Sequence, residues 1–236
     1  GPLGIAGTTL AFPVMLVLMA CSMLIGFGSA ALVSIRLGEN RRDEAEHVLG
    51  HTVLLLLLVA VLLTAVGLTL LDPLLRAVGA SDLSQPYARE YLQIIVAGSI
   101  FQTLGFGLNA VIRGEGNPRI AMFTMLIGAL LNTILDPIFL FIFGWGMRGA
   151  AAATVLSQAV SAVWVVGYFM SGKSLLKFHV GHLRLRWSLC AAIVVIGSPM
   201  FAMQMAASVM NAILNNQLLA YGGDLAISVM GIVYAV

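Results

Sequence analysis

One carboxylate of this sequence stands apart from the other charges. Asp136 lies inside the apolar stretch Ile120 to Phe143, seven residues before its end, and is the only acid deep within any complete apolar run. A charged side chain is costly in hydrocarbon, so it belongs by default at a cavity, a cation or a proton pathway. Asn132 precedes it by four residues and shares its helix face, and Met125 continues that stripe. At about 1.5 Å per residue, Asp136 sits roughly 10 Å from the end of its run. On the next apolar run Thr154 stands six residues after Arg148, at a matching depth, with Gln158 one turn further. Asn, Asp, Thr and Gln offer hard oxygen atoms, suited to Na⁺ or a proton and not to soft metals. No second acid, histidine or nucleophile shares that depth, which argues against an enzyme. No phosphate loop, HExxH or GxSxG motif is present. The competing reading has the Asp-Pro pair break the helix and let Asp136 reach water. Seven more apolar residues before the turn weigh against it.

These residues can only be positioned by membrane helices. The 236 residues are 60% hydrophobic and 9% charged, with mean hydropathy +1.02, against roughly a quarter charged in a soluble domain. The apolar runs are long enough to cross about 30 Å of hydrocarbon as helices and lack the alternation of barrel strands. An all-α integral membrane protein follows. Six complete spans are expected at about Thr8 to Val33, Val48 to Leu71, Tyr91 to Ile112, Ile120 to Phe143, Gly149 to Met170 and Leu189 to Leu219, the last kinked at Pro199. A seventh begins near Leu225. The chain starts without Met and ends in an apolar run, which reads as part of a longer protein.

Positive loops stay cytoplasmic. One set of alternate loops holds Arg36, Arg41, Arg42, Arg113, Arg119, Lys173, Lys177, Arg184 and Arg186; the other holds Arg76, Arg89 and Arg148. The split of nine to three places the first set in the cytoplasm and Gly1 outside. It also supports the span count, because a missed span would scramble it.

The sixth span carries Gln204, Ser208, Asn211 and Asn215 at spacings of four, three and four. Such a stripe faces a cavity or joins a partner helix; the cavity reading makes Gln204, Ser208 and Asn211 cavity residues, with flexible methionines beside them. The run Gly149 to Ala153, with Gly105 and Gly107, reads as close helix packing. His51 reads as interfacial, His179 and His182 as loop residues, and Asp224 as a loop or helix-start residue. Cys21 and Cys190 have neither metal nor disulfide spacing.

Three stretches carry a family resemblance: SIRLGENRRDEA, VIRGEGNPRIAM and LLNTILDPIFLFIFGWGMRGAAAATVLSQ. Together they resemble the multidrug and toxic compound extrusion (MATE) transporters, nearer the DinF-like prokaryotic branch than the NorM-like one. The resemblance implies a polytopic helix bundle of two six-helix lobes. Residues 1–170 would be helices two to six of the N-terminal lobe, 171–187 a cytoplasmic inter-lobe linker, and 188–236 helix seven with the start of helix eight. It implies a cation or proton site at Asp136, Asn132 and Thr154, joined by Tyr91, with a further Asp on a helix upstream of this sequence. It places Asn109 and Met125, together with Gln158, at the drug cavity.

The implied activity is efflux of organic, often cationic and amphipathic drugs in exchange for Na⁺ or H⁺. No cofactor beyond the coupling ion is expected, and no metal site beyond Na⁺ at Asp136. The setting would be a bacterial or archaeal plasma membrane, with the full-length protein monomeric. Nucleic acid is not an expected partner, since the basic residues sit only in loops. Two alternatives are a lipid-linked oligosaccharide flippase of the same superfamily and a polytopic receptor or sensor. The first would want cationic residues inside the spans, and none is present.

Overall fold

Backbone N–H and C=O groups in hydrocarbon must bond within their own segment, which leaves helices as the solution for these apolar runs. The computed structural model describes residues 2–177 and 186–235. In chain order these form α1 (Pro2–Gly38), α2 (Arg42–Thr69), α3 (Leu71–Ala77), α4 (Gln85–Ala97), α5 (Ser99–Gly114), α6 (Pro118–Pro137), a π-helical turn (Ile138–Ile142), α7 (Gly146–Met170) and α8 (Trp187–Ala235). Among the described residues, five helices are long and apolar enough to span a membrane, and α4 with α5 makes a sixth, bent span. His179, His182 and Arg184 lie outside the described residues.

Three breaks shape the bundle. The third span is not one straight helix: α4 and α5 meet at 55° across Gly98. A Gly-Ser pair is a common cause of such a kink. Thr64 of α2 donates to the Val96 carbonyl at 3.3 Å and bonds the Ser99 hydroxyl at 2.9 Å, so the polar groups of the bend find partners. The second break is Pro137, which lacks the N–H that would continue α6; the π-helical turn follows directly. The third is Gly223, whose left-handed φ of 62° divides α8 into two legs. The expected kink at Pro199 is not a break of this kind, since helical structure continues through it. Ser198 Oγ donates at 2.8 Å to the Val195 carbonyl, which the proline cannot serve.

Packing is closest between α1 and α8. A Cβ on Gly28 would lie 2.0 Å from the Ile193 carbonyl oxygen, and one on Gly197 only 1.8 Å from that of Leu24. The two backbones therefore touch, as small residues permit in membrane bundles. One apolar core gathers Ile25, Leu49, Leu108, Ile112 and Phe169; a second gathers Leu10, Leu75, Leu92, Ile95 and Ile227.

Contacts sort the loops into the same two sets as the charge count. At the basic end, Arg36 and Arg41 flank Glu39 and hold its exposed carboxyl below the usual range. Arg113 lies over the Phe27 ring at 5.3 Å. At the far end, Arg89 pairs with Asp72 and Arg148 with Glu90, both at 3.1 Å. Ser81 Oγ donates to Asp224 at 2.7 Å, and Asn216 donates to the Ala77 carbonyl at 2.9 Å.

The segment after α7 is fastened to the basic end by side chains of other elements. Buried Glu115 accepts from Ser174 Oγ at 2.6 Å and from the Tyr168 hydroxyl, while Asn117 donates to that hydroxyl at 2.7 Å. Buried Glu46 accepts the Lys177 backbone N–H at 3.0 Å. His51, also buried, accepts the Arg186 backbone N–H on Nε2 at 2.9 Å, and its Nδ1 faces the His47 carbonyl at 2.8 Å. That pattern requires the proton on Nδ1. His51 is thus an anchor for the start of α8.

Candidate functional site

Asp136 is the last residue of α6 before Pro137. Its side chain does not escape to water. Oδ1 is buried and has no hydrogen-bond partner, while the Asn132 side chain bonds the carboxyl group. Asn132 Nδ2 also lies 3.5 Å from Thr154 Oγ1, across the α6–α7 interface. Thr154 donates to the Ala150 carbonyl at 3.0 Å, one turn back on α7. Tyr91 of α4, buried in the far-end core, bonds Thr154 through its hydroxyl and feels the Asp136 charge. Three elements therefore bring Asp136, Asn132, Thr154 and Tyr91 together.

The small residues before Thr154 make this approach possible. Ala151 and Ala153 are fully buried, and a Cβ on Gly149 would lie 2.8 Å from the Phe139 carbonyl. The polar cluster fits a small cation or a proton. An ionised carboxylate with a stranded oxygen is unfavourable in a low-dielectric site, and a bound cation or proton relieves it. Among the described residues, no three His, Cys, Asp or Glu side chains are grouped to hold a metal ion.

Next to the cluster lies a cavity of about 260 Å³ between α5, α6 and α7. Asn132 and Thr154 line it and also touch Asp136 or Tyr91, so they join the cavity to the carboxylate. Asn109, Met125 and Gln158 line it too. Asn109 is held by its Nδ2, which donates to the Ala121 carbonyl at 2.9 Å. Phe101, Phe106, Gly105, Gly128 and Ala129 supply apolar wall, and no ionisable side chain is part of the lining.

Gly105 and Gly107 differ in role. Around Gly105 the nearest atom to an added Cβ is 3.8 Å away, whereas Gly107 packs on Leu56, which such a Cβ would meet at 2.5 Å.

Gln204, Ser208 and Asn211 do not line this cavity. Ser208 is buried and donates at 2.8 Å to the Pro13 carbonyl of α1. Asn211 is buried one turn on and donates to the Ala207 carbonyl at 2.8 Å. The reason is the close α1–α8 approach, which turns this part of the stripe onto a neighbouring helix. In this chain it acts as a joint, the second of the two readings the spacing allows.

Sequence reasoning also passed over Gln102, Ser157 and Ser161, all of which line the cavity. A signal was present: Gln102, Gly105 and Asn109 recur at three and four residues, one polar and small face of α5.

A multi-span helical protein with a polar cavity beside a lone buried carboxylate is built like a membrane transporter. The MatE family profile matches residues 1–138, more than half of the chain, which therefore belongs to that family of transporters, not enzymes. Among curated relatives, the multidrug export protein MepA of Staphylococcus haemolyticus is 30% identical over 218 residues, covering 92% of this chain and 48% of the relative. A solved structure of the MATE multidrug transporter DinF-BH, in complex with a drug ligand, is 40% identical, with TM-score 0.93, over 99% of this chain and 52% of that one. An inward-facing MATE transporter of the MOP superfamily is 28% identical, with TM-score 0.95, over all of this chain and 54% of that one. The chain thus spans about half the length of the relatives it matches.

Proposed function

We propose that this chain forms the ion-coupling half of a multidrug efflux antiporter. The observation that carries the proposal is the buried, unpartnered Oδ1 of Asp136 beside a cavity that shares Asn132 and Thr154 with it. In this reading Na⁺ or H⁺ neutralises Asp136, with Asn132, Thr154 and Tyr91 arranged around it. The neutralised cluster repacks α6 against α7 and favours release of the drug. Ion and drug compete by biasing one rocking equilibrium in opposite directions, each through its differential affinity for the two states.

The drug class is organic, often cationic and amphipathic, taken up against Phe101, Phe106 and Met125. A cavity of about 260 Å³ is small beside the roughly 300–1,000 Å³ of ligand pockets. A second lobe would supply the remaining wall. Residues 1–170 form the first lobe, the segment 171–187 links it to the second, and the remainder opens the second. The basic loops face the cytoplasm of a bacterial or archaeal plasma membrane, and the full-length transporter works as a monomer. The names of the MepA and DinF-BH relatives support drug export. The absence of Lys or Arg from the cavity lining disfavours a flippase for pyrophosphate-linked lipids.

The test uses cells expressing the full-length transporter that carries this sequence. Accumulation of a fluorescent organic cation should be low and should rise when an uncoupler or ionophore collapses the gradients. Asp136→Asn should raise it to the same level with expression intact. Undiminished efflux by Asp136→Asn would overturn the mechanism.

A further inference from the structure

Two glutamines face the cavity with a free acceptor each. Gln102 of α5 is only 5% exposed, and its Oε1 has no hydrogen-bond partner. Gln158 of α7 likewise has a buried Oε1 without a partner. Both line the same cavity. They also stand at one level. Gly98 abuts Val155 and Gly105 faces Ala162, so α5 and α7 run side by side in the same direction with a constant offset of 57 residues. That offset sets Gln102 opposite residue 159, one position from Gln158.

The other polar side chains of the wall are already engaged. Thr124 donates to Ile120, Ser157 to Ala153, Thr154 to Ala150 and Asn109 to Ala121, all backbone carbonyls. The Asn132 amide is turned to Thr154 and Asp136.

We propose that Gln102 and Gln158 form a paired acceptor that selects, among amphipathic organic cations, those bearing N–H donors. An ammonium, amidinium or aromatic amine places its N–H groups on the two Oε1 atoms while its apolar body lies against Phe101 and Phe106. A cation of similar size without N–H strands both acceptors and seals them from water. Sites built to hydrogen-bond a group discriminate strongly against analogues that lack it, because their polar atoms are left unpaired. The inference rests on the efflux reading of this cavity and adds the substrate class.

The experiment uses the purified full-length transporter carrying this sequence, with equilibrium dialysis of two probes. Ethidium carries aromatic amines; tetraphenylphosphonium carries no N–H. Gln102→Met and Gln158→Met keep much of the side-chain bulk and remove the acceptor. Each should weaken ethidium binding by about tenfold or more, the worth of one hydrogen bond to a charged partner. Tetraphenylphosphonium binding should hold or tighten, and so also reports that the variant is folded.

Equal change for both probes, or none for either, overturns the pairing. A variant that binds neither is remade as Gln→Leu, and a uniform loss there overturns the pairing as well. The efflux reading fails separately, if the unmodified transporter neither binds these cations nor moves them against a gradient.

Discussion

Removing the Ser174 hydroxyl should loosen the segment that follows α7. Ser174 is buried, and its Oγ donates at 2.6 Å to Glu115, a carboxylate itself only 5% exposed. A hydrogen bond to a charged group contributes about 1.5–3 kcal/mol. Every 1.4 kcal/mol is tenfold in an equilibrium, so Ser174→Ala should make local opening about 10- to 100-fold more frequent. Glu115→Ala should do more, because it also strands the Tyr168 hydroxyl and frees Asn117.

Lys173 and Lys177 flank the anchor and are exposed, which makes trypsin a direct reporter. When closing outpaces cleavage, the cutting rate follows the open population. In detergent-solubilised transporter, cleavage near these lysines should therefore accelerate in the order native, Ser174→Ala, Glu115→Ala. Equal cutting rates in all three would refute the idea that Glu115 holds this segment.

Two further substitutions probe the frame around the site. Gly197→Ala puts a Cβ 1.8 Å from the Leu24 carbonyl; it should force α1 and α8 apart and lower the melting temperature by several degrees, read by a thermal shift assay. His51→Leu leaves the Arg186 N–H unserved. The cost is about 1–3 kcal/mol, and hydrogen exchange at the start of α8 should speed up accordingly. Slowed or unchanged exchange there would count against His51 as an anchor.

Much of the site was legible because a membrane restricts what a polar residue can be. Asp136 stood out against lipid, and a helical period with a depth estimate was enough to add Asn132 and Thr154. Tyr91 came from the family resemblance alone; nothing in its spacing pointed to Thr154. The bend at Gly98 was hidden, since it depends on Thr64 of another helix serving the opened backbone. The π-helical turn was hidden as well: Asp-Pro marks a missing donor, but not how the chain recovers its pitch. The stripe on α8 was visible as polar yet mute about its partner, because only the Gly28 and Gly197 contacts reveal which helix it meets. Glu46, Glu115 and His51 read as ordinary loop and interface residues, since their partners lie from 59 to 135 positions away.

The central claim is that Asp136 with Asn132 and Thr154 takes up the coupling ion. The most direct measurement is ion uptake by purified full-length transporter, with Na⁺ binding followed by calorimetry and proton uptake by a pH-sensitive dye. The native protein should take up Na⁺ or a proton in a step that a bound organic cation suppresses. Asp136→Asn should lose that step while still binding the organic cation. An unchanged ion-binding step in Asp136→Asn would contradict the account.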